Sequence, residues 1–203
     1  MIKIDHKKEY KEWFTASATQ PKLVDLPPLD YLMIDGHGDP NTAPAYQQAI
    51  EAMYAMAYGL KFRVKKGEAG VDFTVMPLEG LWWVPDMNLF SKSRKDDWDW
   101  TMLILQPPVV TAEFFQTVLA ETRRKKPLPA LDRIRFESYH EGRSAQILYI
   151  GPYSAEGPTI QKLHSFIESQ GSMRRGKHHE IYFSDPRRSA PDKLRTIIRQ
   201  PIE

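Results

Sequence analysis

Cysteine is absent from the 203 residues, which removes disulfide staples, thiolate nucleophiles, cysteine-ligated zinc and covalently attached c-type haem together. No stretch approaches the roughly 20 consecutive apolar residues of a membrane-spanning helix, and the start, Met1-Ile2-Lys3-Ile4-Asp5-His6-Lys7-Lys8, lacks the apolar core of a secretory signal. Charge of one sign is scarce too. Lys and Arg number 28 against 26 Asp and Glu, and a net charge of +2 gives no bulk attraction for nucleic acid or an anionic membrane. The expectation is a cytoplasmic protein with no direct nucleic-acid binding and no membrane association.

Phosphate-cradling loops are also missing. Neither a Walker loop nor a Gly-x-Ser-x-Gly elbow occurs, and Gly36-His37-Gly38 lacks the third glycine of a dinucleotide fingerprint. His178 and His179 are adjacent and diverge on a strand, while His6, His37, His140 and His164 have no His-x-x-x-His spacing. No metal and no cofactor is expected.

What is present is enough apolar material for a core, 41% of residues against 27% charged, and a pattern written twice. Asp30 to Ile34 reads as a strand closed by glycine and turn residues, followed by a helix. On that helix Tyr46, Ala49, Ile50, Met53, Tyr54 and Ala57 share one face. Ala145 to Ile150, the turn Gly151-Pro152-Tyr153 and a helix from Pro158 repeat the order, with Pro44 matching Pro158 and Gln47 matching Gln161. Two strands follow each helix: Asp72 to Met76, or in a longer reading to Trp83, with Trp100 to Leu105, and then His178 to Phe183 with Leu194 to Ile198. The last strands end in Gln106-Pro107 and Gln200-Pro201. The fold class this implies is α+β, one domain over 1–203, a tandem pseudo-two-fold repeat of strand-helix-strand-strand modules. The first module covers about 22–107 and the second about 131–203, with a connecting helix over about 111–126 capped by Thr111. Antiparallel sheets would carry helices on one face and meet at a central ligand cleft on the other.

Alternation along His178-His179-Glu180-Ile181-Tyr182-Phe183 puts Ile181 and Phe183 towards the helix and Glu180 and Tyr182 towards the cleft. A carboxylate walled by aromatics suits a cationic or hydrogen-bonding ligand. The alternative is a wet-rim glutamate paired with Arg133 or Arg135. In Met76-Pro77-Leu78-Glu79-Gly80-Leu81-Trp82-Trp83 the adjacent tryptophans project to opposite sides, so one can wall a pocket, or both can be core. Trp98 and Trp100 read as strand-edge packing. Strand Arg133 to Glu141 adds Tyr139 to the aromatic candidates, and the turn adds Tyr153, for which a purely structural hydrogen bond is the preferred reading. The basic runs Arg123-Arg124-Lys125-Lys126 and Arg174-Arg175-Gly176-Lys177 read as solvated.

These pieces resemble one family. Met76 to Trp83, Gly176-Lys177-His178-His179-Glu180-Ile181-Tyr182, and Asp185-Pro186-Arg187-Arg188 with Lys193-Leu194-Arg195-Thr196 are similar to GyrI-like small-molecule-binding proteins, within them the stand-alone branch of cyclopropanoid cyclopropyl hydrolases. The resemblance implies a central pocket with a glutamate, here Glu180, and an aromatic cage for planar, hydrophobic or cationic organic ligands. Tyr182, Tyr139 and Trp82 or Trp83 are the matching cage positions, with Glu180, Tyr182 and Tyr139 expected to be catalytic; Tyr153 and Tyr149 are added as further ligand-binding candidates. It implies ring opening of DNA-alkylating cyclopropanoids by water. The same resemblance covers non-catalytic multidrug binders and effector modules that work with a separate regulator. The chain departs from the family at Tyr149-Ile150-Gly151-Pro152-Tyr153, where relatives often carry His-Ile-Gly-Pro-Tyr.

Overall fold

The computed structural model describes residues 2–67, 70–87, 90 and 94–203. Lys92, in the charged segment before Trp98, lies outside them. In chain order the elements are β1 (Ile2–Ile4), α1 (His6–Glu9), α2 (Lys11–Phe14), β2 (Lys22–Leu26), β3 (Leu29–His37), α3 (Pro44–Lys66), β4 (Val71–Phe73), β5 (Leu78–Trp83) and β6 (Asp99–Leu105). There follow α4 (Ala112–Lys125), β7 (Arg135–Tyr139), β8 (Gly142–Ile150), α5 (Gly157–Ser169), β9 (His178–Tyr182) and β10 (Arg195–Pro201). Both long helices of the expected modules start with proline in the first turn, where its fixed φ suits the helix and its missing N–H costs nothing. Thr111 caps α4 by accepting from the Phe114 N–H.

The strands form one antiparallel eight-stranded sheet in the order β2-β8-β10-β9-β5-β6-β3-β7. This replaces the expected pair of facing sheets: β5 pairs with β9 through Gly80 opposite Glu180 and Trp82 opposite His178, so backbone hydrogen bonds fuse what were to be two sheets. A second departure concerns 71–76. β4 pairs in parallel with β1 in a separate two-stranded ribbon, and the large sheet takes 78–83 instead. Among the described residues no helix is long and apolar enough to cross a membrane.

Directly paired residues share a sheet face. Ile198 pairs with Glu180 and packs with Leu163 and Ile167 of α5. Trp82 pairs with Trp100, and both rings meet Tyr46 of α3. Both helices therefore lie on the face that carries Glu180. This corrects the expectation that the glutamate faces away from them: the alternation holds, but the side is reversed, because Ile181 is needed in the core of the opposite face. On α3 the buried stripe is Ala49, Ala52, Met53, Met56, Ala57, Leu60 and Val64, with Tyr46, Ile50 and Tyr54 at its margin. Small and linear side chains let the helix approach the sheet, and the tyrosines keep their polar tips at the edge. Gly36, opposite Trp100, belongs to the same fit: a Cβ there would stand 2.1 Å from the Trp100 ring.

Candidate functional site

Between α3 and α5 the sheet face carries His178, Glu180 and Tyr182 from β9, and Gly80 and Trp82 from β5. Glu180 is 8% exposed. His178 Nε2 stands 2.9 Å from Glu180 Oε1; with the carboxylate ionised, the imidazole donates, so Nε2 carries the hydrogen. The Trp82 indole N–H donates to the Tyr182 hydroxyl at 2.9 Å. That leaves the Tyr182 hydrogen available for another acceptor.

The walls are aromatic. Tyr46 comes from α3, its ring 6.0 Å from Trp82 and edge-on to Trp100 at 5.2 Å. Trp98 packs edge-on to Trp82 at 5.6 Å and stacks on Phe90, which reaches His178. From the turn before α5, Tyr153 meets Tyr182 edge-on at 5.7 Å. Burial first, and the Glu180 charge second, push the hydroxyls of Tyr46 and Tyr182 well up, and hold that of Tyr153 at about 12. These phenols stay protonated and can donate hydrogen bonds at neutral pH.

The residues expected from sequence divide as follows. Glu180, Tyr182, Trp82 and Tyr153 come together. Trp83 points to the other face, where the Lys177 ammonium sits 3.2 Å above its ring. Tyr149 packs in the core under α5 and donates to the Pro152 carbonyl at 2.9 Å. Tyr139 is a correction. Its strand is registered so that it shares the opposite face with Tyr31, 6.4 Å away, and the sheet separates it from Glu180. Arg135 is taken by Asp35 and Glu137 and Arg133 by the Asp35 carbonyl, so neither pairs with Glu180 as the wet-rim reading required. Tyr46, Trp98, Trp100 and His178 belong to the site and were not singled out for it. Only His178 left a local signal, two residues before Glu180 on the same strand face.

Behind β9 the opposite face holds a buried charge cluster. His179 Nδ1 is 2.8 Å from Glu141 Oε1 and Nε2 is 3.0 Å from Glu79 Oε2. With a carboxylate on each ring nitrogen, both carry hydrogen and His179 is an imidazolium. Burial opposes that charge, but Glu141 and then Glu79 outweigh it and raise its pKa to about 9. Burial likewise opposes the Glu141 anion, and His179 and Arg199 hold it at about 2. Arg199 donates to Glu141, Gln146 and the Trp13 carbonyl, tying the N-terminal segment to the sheet. Among the described residues no group of three or more His, Asp or Glu side chains could hold a metal ion.

Gly80 is where the sheet makes room for the rings. A Cβ there would lie 2.7 Å from Trp82 Nε1 and 3.1 Å from the Tyr182 hydroxyl. Gly80→Ala is therefore expected to break the Trp82–Tyr182 bond and destabilise the protein by about 1–3 kcal/mol. Urea unfolding with tryptophan fluorescence checks this; an unshifted midpoint with an unshifted emission maximum would refute it.

Residues 19–203 match the model of the GyrI-like small molecule binding domain. Among solved structures, an uncharacterized conserved protein from Listeria innocua is 38% identical, covering 98% of this chain and 100% of its own, with a TM-score of 0.91. Two structures of hydrolases from the same organism are 37% and 36% identical. They cover 99% and 98% of this chain and 100% of their own, with TM-scores of 0.89 and 0.87. Among curated proteins, none matches the sequence.

Proposed function

The chain belongs to the GyrI-like small-molecule-binding family, and on that premise we propose that it binds a flat, hydrophobic or cationic organic molecule over Glu180 and opens a strained cyclopropane ring in it with water. The observation that carries this is the pairing of a nearly buried carboxylate, held by His178, with an aromatic wall containing protonated tyrosines. The hydrolases from Listeria at 36–37% identity support hydrolysis as the reaction type. The strand order, with β8, β10 and β9 on one side of the β5–β9 pairing and β5, β6 and β3 on the other, supports the tandem-module reading of this single domain.

The chemistry needs no cofactor. In a cyclopropane conjugated to a carbonyl, a hydrogen bond from Tyr182 or Tyr153 to the carbonyl oxygen draws electrons from the ring. Water attacks a ring carbon, Glu180 accepts the water proton, the strained C–C bond breaks, and its electron pair moves to the oxygen. His178 keeps the Glu180 carboxylate oriented. The aromatic wall aligns the ligand and excludes bulk water, contributing through orientation. Incubation with a cyclopropanoid followed by mass spectrometry is expected to find the product with one water added. Retention of unaltered ligand would reject hydrolysis.

A sequestering protein without catalysis is the second reading. It is favoured by Tyr149, which stands where relatives often carry histidine and spends its hydroxyl on the Pro152 carbonyl. Saturable binding without product would establish it.

A further inference from the structure

Helix α3 carries a second aromatic row, which starts at the core margin with Tyr54 and runs outward. Tyr54, Tyr58 and Phe62 recur every four residues, their ring centroids 6.4 Å and 6.1 Å apart. Tyr58 is 46% exposed and Phe62 48%. The outward face of a helix already buried on its other side is ordinarily polar, and clustered exposed rings mark a binding surface.

The rings line a groove of about 1190 Å³ between α4, through Val118 and Thr122, and the β9–β10 connection, through Asp185, Arg187 and Arg188. α3 and α4 approach closely at Gly59, where a Cβ would meet Val118 and Thr122 at 3.2 Å. The groove reaches the first turns of α3, next to Tyr46. Gln47, next to Tyr46 in the chain, and Ile50, one turn further along the helix, line it. Asp185 on its wall acts on the hydroxyls of both Tyr54 and Tyr153, and Tyr153 touches Tyr182.

Its charge differs from that of the inner site. Arg63, Lys66, Lys125, Lys126, Arg187 and Arg188 line it against three carboxylates, Glu51, Glu121 and Asp185. Such an excess repels cations, while guanidinium planes stack on the faces of flat aromatic rings. We propose that this groove is an antechamber that receives flat, uncharged aromatic molecules and passes them to the Glu180 site, discriminating against flat cations. It rests on the pocket reading above and narrows its ligand class. A conjugated ketone fused to aromatic rings has this character.

Stopped-flow fluorescence with 1-aminoanthracene, flat and neutral, and acridine orange, a flat cation, tests it. Replacing Tyr58 and Phe62 together by serine removes exposed rings rather than core contacts. A waypoint speeds passage both ways, so association and dissociation of 1-aminoanthracene should each slow by about five- to tenfold, within the range interface changes produce, with Kd moved less than about twofold. Acridine orange should associate more slowly than 1-aminoanthracene, and Arg187→Gln with Arg188→Gln should narrow the gap. An unchanged association rate in the serine variant, or equal rates for the two probes, would overturn the proposal. Failure of the pocket reading looks different: Trp82→Ala would then leave the Kd of both probes as in the wild type.

Discussion

Glu180→Gln is expected to slow the opening of a cyclopropanoid by about 10²–10⁴-fold, the usual contribution of a positioned general base, while ligand affinity changes far less. The substitution keeps the shape of the side chain and an oxygen that can still accept from His178 Nε2, now 2.9 Å from Glu180 Oε1. It removes the negative charge and, with it, the ability to take a proton from water. Timed mass spectrometry of the water-added product measures the rate, and equilibrium quenching of the site tryptophans measures binding. A rate within about threefold of wild type would remove Glu180 from the chemistry. Tyr182→Phe separates the second role. It deletes the hydrogen offered to a ligand carbonyl and also strands the Trp82 indole N–H, a loss of about 1–3 kcal/mol when a buried donor is left unpaired. Its rate and its stability should therefore fall together, whereas Glu180→Gln should lower the rate alone.

The largest effect on stability is expected at Arg199. It is fully buried and donates to Glu141, Gln146 and the Trp13 carbonyl. Arg199→Met leaves the cluster of Glu79, Glu141 and His179 with an excess negative charge out of water. Breaking a buried pair in this way costs about 3–5 kcal/mol, readable as a lowered urea midpoint.

The same cluster sets a pH dependence with two arms. His179 has its pKa raised from 6.5 to about 9, so its contribution is complete below pH 6.5 and is lost as pH rises through 9. Glu141 is lowered from 4.5 to about 2, so its contribution is complete above pH 4.5 and is lost as pH falls through 2. The Tyr31 and Tyr139 hydroxyls face these charges and are held protonated, by burial first and then by the carboxylates. Unfolding measured from acid to alkaline pH should show a plateau between the arms, and His179→Gln should flatten the alkaline one. An alkaline arm that persists in that variant would place its origin elsewhere.

The position of the cluster gives it a bearing on the site. His179 lies between His178 and Glu180 in the chain and is clamped on both ring nitrogens. Strand β9 is thereby fixed on one face by charges and presents Glu180 and Tyr182 on the other.

Much of this protein was legible in its sequence because the relevant rules are local. The period of two along 178–183 correctly grouped His178 with Glu180 and Tyr182, since side-chain direction alternates whatever the strand packs against. The prolines at 44 and 158, the Thr111 cap and the divergence of Trp82 from Trp83 follow from backbone geometry within a few residues. The two helix–strand–strand runs and the family motifs at 76–83 and 176–182 identified the α+β class. What needed the tertiary structure was which face of the sheet meets the helices, because alternation separates two faces without naming either. Pairing of β5 with β9 brought Trp82 to Tyr182, and pairing of β3 with β7 carried Tyr139 away from Glu180, through registers between residues about 100 positions apart. Glu79, Glu141, His179 and Arg199 likewise meet only when four strand regions converge. Each of them, read alone, is an ordinary charged residue, and only the removal of water makes their charges depend on one another.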